Sequence, residues 1–292
     1  MSFRKIEIVL FDEYGIQITY VKISQLLTDM GYSKQVKQKM PQVGEPSPAR
    51  DEQFGIINEL AKQYFETGDP VISVDTKKKE NIRNFKNNGA EYRKFGEPRQ
   101  VLDHDFLIAE LGKVNPYGIY VLNSNTGFIN LGTNHDTSEF AITSIAVWWG
   151  TCGKNSFSES KRIYITCDDG SSNFSRNRTW EYELQEFADY TGLEAMISHY
   201  PPRASKWNKI EHRMSCYISK NWKWHPLIDI ETVVSLISRT TTQNGLKIDC
   251  IVDNNIYEIR RKISDEKLAQ VSLFPYEQLG KWDYIIKPNC KH

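Results

Sequence analysis

The 292-residue chain has no long apolar run, no paired cysteine motif, no internal repeat and no net charge. Each absence removes a class of protein. Without 18 consecutive apolar residues there is no candidate membrane span. The amino-terminal MSFRKIEIVLFDEYG lacks the small-residue cleavage pattern of a secretory signal, so a cytoplasmic location with no membrane partner is expected. The five cysteines form no CxxC pair and are odd in number, which argues against a structural zinc site and against a closed set of disulfides. Basic and acidic residues balance at 37 each, so bulk charge demands no polyanionic partner, and any such site is local.

What is present is 39% hydrophobic and 12% aromatic content, enough to bury a sizeable core in one or two domains. Basic residues cluster in two runs, one at Lys77, Lys78, Lys79 and Arg83, the other at Arg203, Lys206, Lys209, Arg213, Lys220 and Lys223. Such runs are more often solvated faces than binding sites. Near the amino terminus, Ile23, Leu26, Leu27 and Met30 recur at helical spacing before Gly31, which predicts a short amphipathic helix. The basic, Pro- and Gly-containing stretch KQVKQKMPQVGEPSPAR then reads as a linker, placing a domain boundary near residue 50.

In the body, VISVD at 71–75 follows the turn signal TGDP and reads as a buried strand; YGIYVLN and TGFINLG read as a hairpin about forty residues later. A helix is predicted from Thr137 in TSEFAITSIAVWW, a fourth strand in RIYITC, and a helix with Trp180, Leu184, Phe187 and Ala188 on one face. LEAMISH reads as a fifth strand. After Pro201 and Pro202 a helix is predicted with Ile210, Met214, Tyr217 and Ile218 buried, and the last 80 residues read as helix then strand packed on the core. This order predicts an α/β fold, a mixed sheet covered by helices. Three acids fall at informative places. Asp75 ends the first strand, Asp168 follows the fourth, and Glu211 projects from the helix after the fifth, where open α/β sheets place their ligands.

Four ordered segments, VISVDTKKKENIRNFKN, NHDTSEFAITSI, ITCDDGSSN and HYPPRASKWNKIEHR, together resemble the DDE transposases of bacterial insertion sequences, ISAzo group, over about residues 18–284. The resemblance implies a ribonuclease H-like catalytic core over 51–292 with a C-terminal extension. It makes Asp75, Asp168 and Glu211 the catalytic and metal-binding acids, with Mg²⁺ or Mn²⁺ as cofactor, two ions per site. Oxygen-only carboxylate sites suit such hard cations. The activity implied is cleavage of DNA at the element's terminal inverted repeats and transfer of the 3′ hydroxyl into target DNA, by a homo-oligomer in the nucleoid. Residues 18–31 resemble the last helix of a helix-turn-helix region, so residues 1–50 are expected to be a truncated DNA-binding remnant and linker. Two alternatives stand beside this reading: an inactive DNA-binding relic, and a ribonuclease H-like nuclease without strand transfer.

Other residues carry paired readings. Lys77, Lys78, Lys79, Lys206, Lys209 and Arg213 flank the acids and are candidate phosphate contacts, which position DNA without reading its sequence. Asn208 lies one turn before Glu211, either to orient the carboxylate or to start the helix. Asp169 and His212 are second candidates beside the acids. Asp169 and Asn173 also suit turn or helix-cap roles. His199 is placed to meet a scissile phosphate, but a lone His at a sheet edge is more often structural. Trp207 is placed to stack on an unpaired base, although core packing is the commoner fate of a Trp. His104, His135 and Asp136 lie in motifs of the family and receive no role.

Overall fold

The computed structural model describes residues 3–33, 48–82, 112–173, 177–201, 207–223, 225–276 and 280–289, with positions 94, 95, 97, 100, 101 and 204. The chain divides into two compact units, Met1–Glu45 and Pro46–His292. The first holds two helices, α1 (Phe3–Tyr14) and α2 (Tyr20–Asp29), joined by a turn in which Gly15 takes a left-handed φ of 64°. Thr19 caps α2, its hydroxyl accepting from the Lys22 amide, and Ile23 is the buried side chain of the pair.

The second unit opens with α3 (Pro48–Glu66), a helix that the composition of the linker and the following segment conceals. Pro48 sits in its first turn, where a missing amide proton costs nothing, so the helix begins inside the stretch read as linker. Ile56, Ile57, Leu60 and Tyr64 are buried along its length.

The strands are β1 (Val71–Thr76), β2 (Glu80–Asn81), β3 (Lys113–Val121), β4 (Thr126–Gly132), β5 (Arg162–Asp168), β6 (Glu194–Tyr200), β7 (Lys247–Asp253), β8 (Leu273–Pro275) and β9 (Asp283–Ile286). They form one sheet in the order β7-β4-β3-β1-β5-β6-β9-β8, with β2 on β3. β1 runs antiparallel to β3 and parallel to β5, and β5 runs parallel to β6. The mixed direction follows from the β3–β4 hairpin, as its sequence predicts. The remaining helices are α4 (Ser138–Trp148), α5 (Lys154–Ser156), α6 (Arg178–Thr191), α7 (Cys216–Trp222), α8 (Ile230–Ser238) and α9 (Asp265–Leu268). The result is a nine-stranded mixed sheet flanked by helices. Among the described residues no helix is long and apolar enough to cross a membrane.

Strand alternation decides what each face meets. Ile72 and Val74 join Ile163, Ile165, Phe140, Trp180 and Leu184 in a core under α4 and α6. Val71, Ser73 and Asp75 therefore point to the opposite face. There Tyr120, Ile129 and Leu131 pack against Ile210, Met214, Ile218 and Trp222. The helix carrying Glu211 thus covers the face to which Asp75 belongs.

Candidate active site

Asp75 and Asp168 occupy the same face because β1 and β5 are parallel and in register, Ser73 opposite Thr166 and Val74 opposite Cys167. Both acids come at the carboxyl ends of central strands, where an α/β sheet leaves a crevice. Glu211 arrives from above. It begins a turn of π-helix, Glu211–Ser215, that runs into α7, and such turns are rare and recur at functional sites.

A buried knot fixes this helix to β1. Asn208 is fully buried; it accepts a hydrogen bond from the Ser73 hydroxyl and donates to the Val74 carbonyl at 3.2 Å, while Ser73 Oγ accepts from the Ile210 amide at 3.1 Å. Asn208 therefore works through strand β1 and the helix start, both of them neighbours of an acid. Two glycines let the helix come close. A Cβ on Gly118, which faces Asp75 across the β1–β3 pair, would lie 2.8 Å from Met214 Cε, and one on Gly127 would lie 2.3 Å from Met214 Sδ.

The carboxyls of Asp75 and Glu211 come within hydrogen-bonding reach. Burial, then the charges of Asp168 and Glu211, push the Asp75 carboxyl far above the usual carboxylate range. Asp168 is also raised, chiefly by burial and further by Glu211 and Asp169, while a hydrogen bond from Asn173 opposes the shift. Asp75 and Asp168 share this cause: burial at one sheet end, with further carboxylates close by, disfavours the charge of each. The cleft beside them has a volume of about 310 Å³, and Asp75, Asp168, Asp136, Asn173 and Lys77 to Lys79 are among its walls. Glu211 reaches Asp75 from the helix and is not part of that wall. Among the described residues, no three His, Cys, Asp or Glu side chains are gathered closely enough to enclose one ion. The donor set of the acids is nevertheless all oxygen, which fits hard divalent cations held by pairs of carboxylates.

The other candidates separate. Lys78 and Lys79 are exposed at the cleft, and Lys209 and Arg213 are exposed on the Glu211 helix. Lys77 is not available to phosphate: it is buried, paired with Glu80 at 3.0 Å, and its ammonium lies 4.0 Å from the centre of the Trp222 ring. Lys206 and His104 lie outside the described residues. Asp169 is half-buried and His212 exposed. His199 cannot meet a phosphate, because it is fully buried between Cys167 Sγ at 3.3 Å and the Tyr284 hydroxyl at 3.1 Å, and burial lowers its pKa to about 4. Trp207 corrects the core expectation: it is 53% exposed, touching Phe54 edge-on at 5.9 Å. Asn173 takes the turn role, its backbone amide donating to the Gly170 carbonyl at 3.0 Å, while Asn177 caps α6. Asp136 gains a place, accepting from Thr76 Oγ1 at 3.2 Å in the cleft wall. Its NHD motif marked the position, but only the β3–β4 hairpin's return to β1 brings it there.

A mixed sheet with acids at the ends of its central strands is the arrangement expected of the DDE transposase class. The chain belongs to the family described as Rhodopirellula transposase DDE domain, whose model matches residues 1–288. No curated protein matches the chain. Among solved structures it is similar to the Mos1 transposase paired-end complex with left transposon end, at 12% identity and a TM-score of 0.44 over 80% of this chain and 68% of that one. It is similar also to the Mos1 strand transfer complex, at 12% identity and TM-score 0.42 over 80% and 68%. A Mos1 mariner paired-end complex with Mn matches at 13% identity and TM-score 0.36 over 75% and 61%.

Proposed function

We propose that the chain binds double-stranded DNA and, with a divalent metal, cleaves it at the ends of an insertion sequence and joins the freed 3′ hydroxyl to target DNA. The observation that carries this is the convergence of Asp75, Asp168 and Glu211, from three separate elements, on one end of the sheet. Each of the three would hold metal, and Mg²⁺ or Mn²⁺, two ions in such a site, supplies activation of the attacking oxygen and stabilisation of the leaving one.

The chain's own residues do the rest. Ser73 and Asn208 hold the Glu211 helix against β1, so that Asp75 and Glu211 meet at a fixed spacing. Lys78, Lys79, Lys209 and Arg213 draw the phosphate backbone toward carboxylates that would otherwise repel it. Lys77 contributes by packing, pinning the end of β1 to Trp222 at the far end of the same helix. No side chain forms a covalent bond to DNA in this scheme. A homo-oligomer holding two element ends is the working assembly.

The test is nicking and joining of DNA carrying the element's inverted repeats, with Mn²⁺ or Mg²⁺ added. Asp75→Ala, Asp168→Ala and Glu211→Ala should each lower cleavage by about 10³-fold or more while leaving salt-sensitive DNA binding in place. Undiminished cleavage by Asp75→Ala overturns the assignment. Cleavage without joining supports the nuclease reading instead.

A further inference from the structure

Asp168 stands where β5 leaves the sheet, and what faces it is the turn that follows. Ser171–Asn173 form a single turn of 3-10 helix. That turn is fastened from two sides. Thr76 Oγ1 lies 3.1 Å from Ser172 Oγ, and the Ser138 hydroxyl donates to the Ser172 carbonyl at 2.6 Å. On it, Asn173 is buried to 1% exposure, with Nδ2 donating to Asp168 Oδ1 at 3.4 Å and Oδ1 accepting from the Tyr117 hydroxyl at 3.0 Å.

An amide side chain can face either way, and its neighbours decide. The phenol of Tyr117 is fully buried, in edge contact with Phe140 at 6.0 Å. Burial holds its pKa well above the ordinary value, so it keeps its proton and requires an acceptor. Asn173 Oδ1 is that acceptor. The opposite orientation would set amide oxygen against carboxylate oxygen and take from the phenol proton the acceptor it has in Asn173 Oδ1. Tyr117 therefore turns the NH₂ group of Asn173 toward Asp168.

We infer that Asn173 is a positioning residue for Asp168, oriented by Tyr117, and that this relay sets the carboxylate for the divalent cation. The inference rests on the reading above in which Asp168 is a metal ligand. Groups that orient a ligand from behind are worth about 10- to 100-fold in metal affinity. The relay starts in the core under α4, where Tyr117 packs, and ends at the cleft on the other side of the sheet end. Ser172 and Thr76 hold the turn; Asn173 aims the acid.

The experiment is Mn²⁺ binding to the full chain without DNA, read by isothermal titration, with thermal unfolding in the absence of metal as the fold control. Asn173→Ala removes the amide, and Tyr117→Phe removes one oxygen while keeping the buried ring. Each should weaken Mn²⁺ binding by about 10-fold or more. In the Asn173→Ala background Tyr117→Phe should add almost nothing, because its effect passes through the amide. Equal losses from Tyr117→Phe in both backgrounds would overturn the relay. So would a variant that unfolds at lower temperature yet binds Mn²⁺ like the parent, provided Asp168→Ala has lost binding. An Asp168→Ala protein that binds Mn²⁺ like the parent overturns the ligand reading, and the inference falls with it.

Discussion

Residue types alone do not separate the seven tryptophans; burial does. Trp180 is fully buried and its indole N–H donates to the Tyr284 hydroxyl at 2.8 Å, whereas Trp207 keeps half its surface in solvent. Removing a large buried ring leaves a cavity, and here it also takes one of two partners from the Tyr284 hydroxyl. Trp180→Ala should therefore cost about 3–5 kcal/mol of unfolding free energy, and Trp207→Ala less than about 1 kcal/mol. Denaturant titration measures both, and a large loss at Trp207 would mean that its contact with Phe54 is part of the core after all. The same distinction applies to lysines. Lys77, Lys78 and Lys79 are neighbours in sequence, yet Lys77 alone is folded under Trp222 while the next two remain exposed. Neighbouring like charges in a run thus meet different surroundings once the chain folds.

The element that decides the site is the π turn leading into α7, because its height above the sheet sets where Glu211 falls. That height depends on two missing side chains. A Cβ at Gly118 would meet the flexible ends of Met214 and Ile210, which can swing aside, but one at Gly127 would drive into the Met214 sulfur and also press Ile248 Cγ1 at 3.2 Å. Gly127→Ala should therefore destabilise the fold by about 1–3 kcal/mol and Gly118→Ala by less. Adding Met214→Ala should recover part of the Gly127→Ala loss, since the methyl group would then enter the vacated space. Strictly additive losses in chemical denaturation would show that Met214 is not the obstacle. The sequence shows these glycines in strand patterns, where a glycine signals close approach. It does not show what approaches.

At the scale of the molecule, the sheet also buries polar groups outside the cleft wall, and these shape its response to pH. Asp283 on β9 is fully buried; its Oδ1 accepts from Gln53 of α3 at 2.8 Å, while Oδ2 has no hydrogen-bond partner among the described residues. Burial raises its pKa from 3.8 to about 6, against the opposing effect of nearby Ser198 and Gln53. Between these values the folded chain holds a proton that the unfolded chain has released. Stability from this group is thus fully present below the unfolded pKa and falls as pH rises through the folded value. Asp283→Asn should flatten the pH dependence of unfolding between about pH 4 and 6 and raise stability at pH 7 by about 2 kcal/mol. Calorimetric scans over that range check it; an unchanged slope would rule out Asp283 as the titrating group.

Local chemistry is written in the sequence because it depends on near neighbours. The β-branched runs of β1 and β5, the place of Asp75 at the end of its strand, the helical spacing of Ile210, Met214 and Ile218, and the ordered motifs around the three acids were all legible there. So was the mixed direction of the sheet, from the hairpin. The helix α3 was not, its apolar residues being masked by a linker-like start. What the tertiary structure alone decided are the partners: Ser73 for Asn208, Trp222 for Lys77, Cys167 and Tyr284 for His199, and Tyr117 for Asn173. Tyr117 and Asn173 are 56 residues apart in the chain. Periodicity fixes the face a side chain occupies, but a hydrogen bond between distant segments depends on register and crossover, and those are settled only when the whole sheet closes around its core.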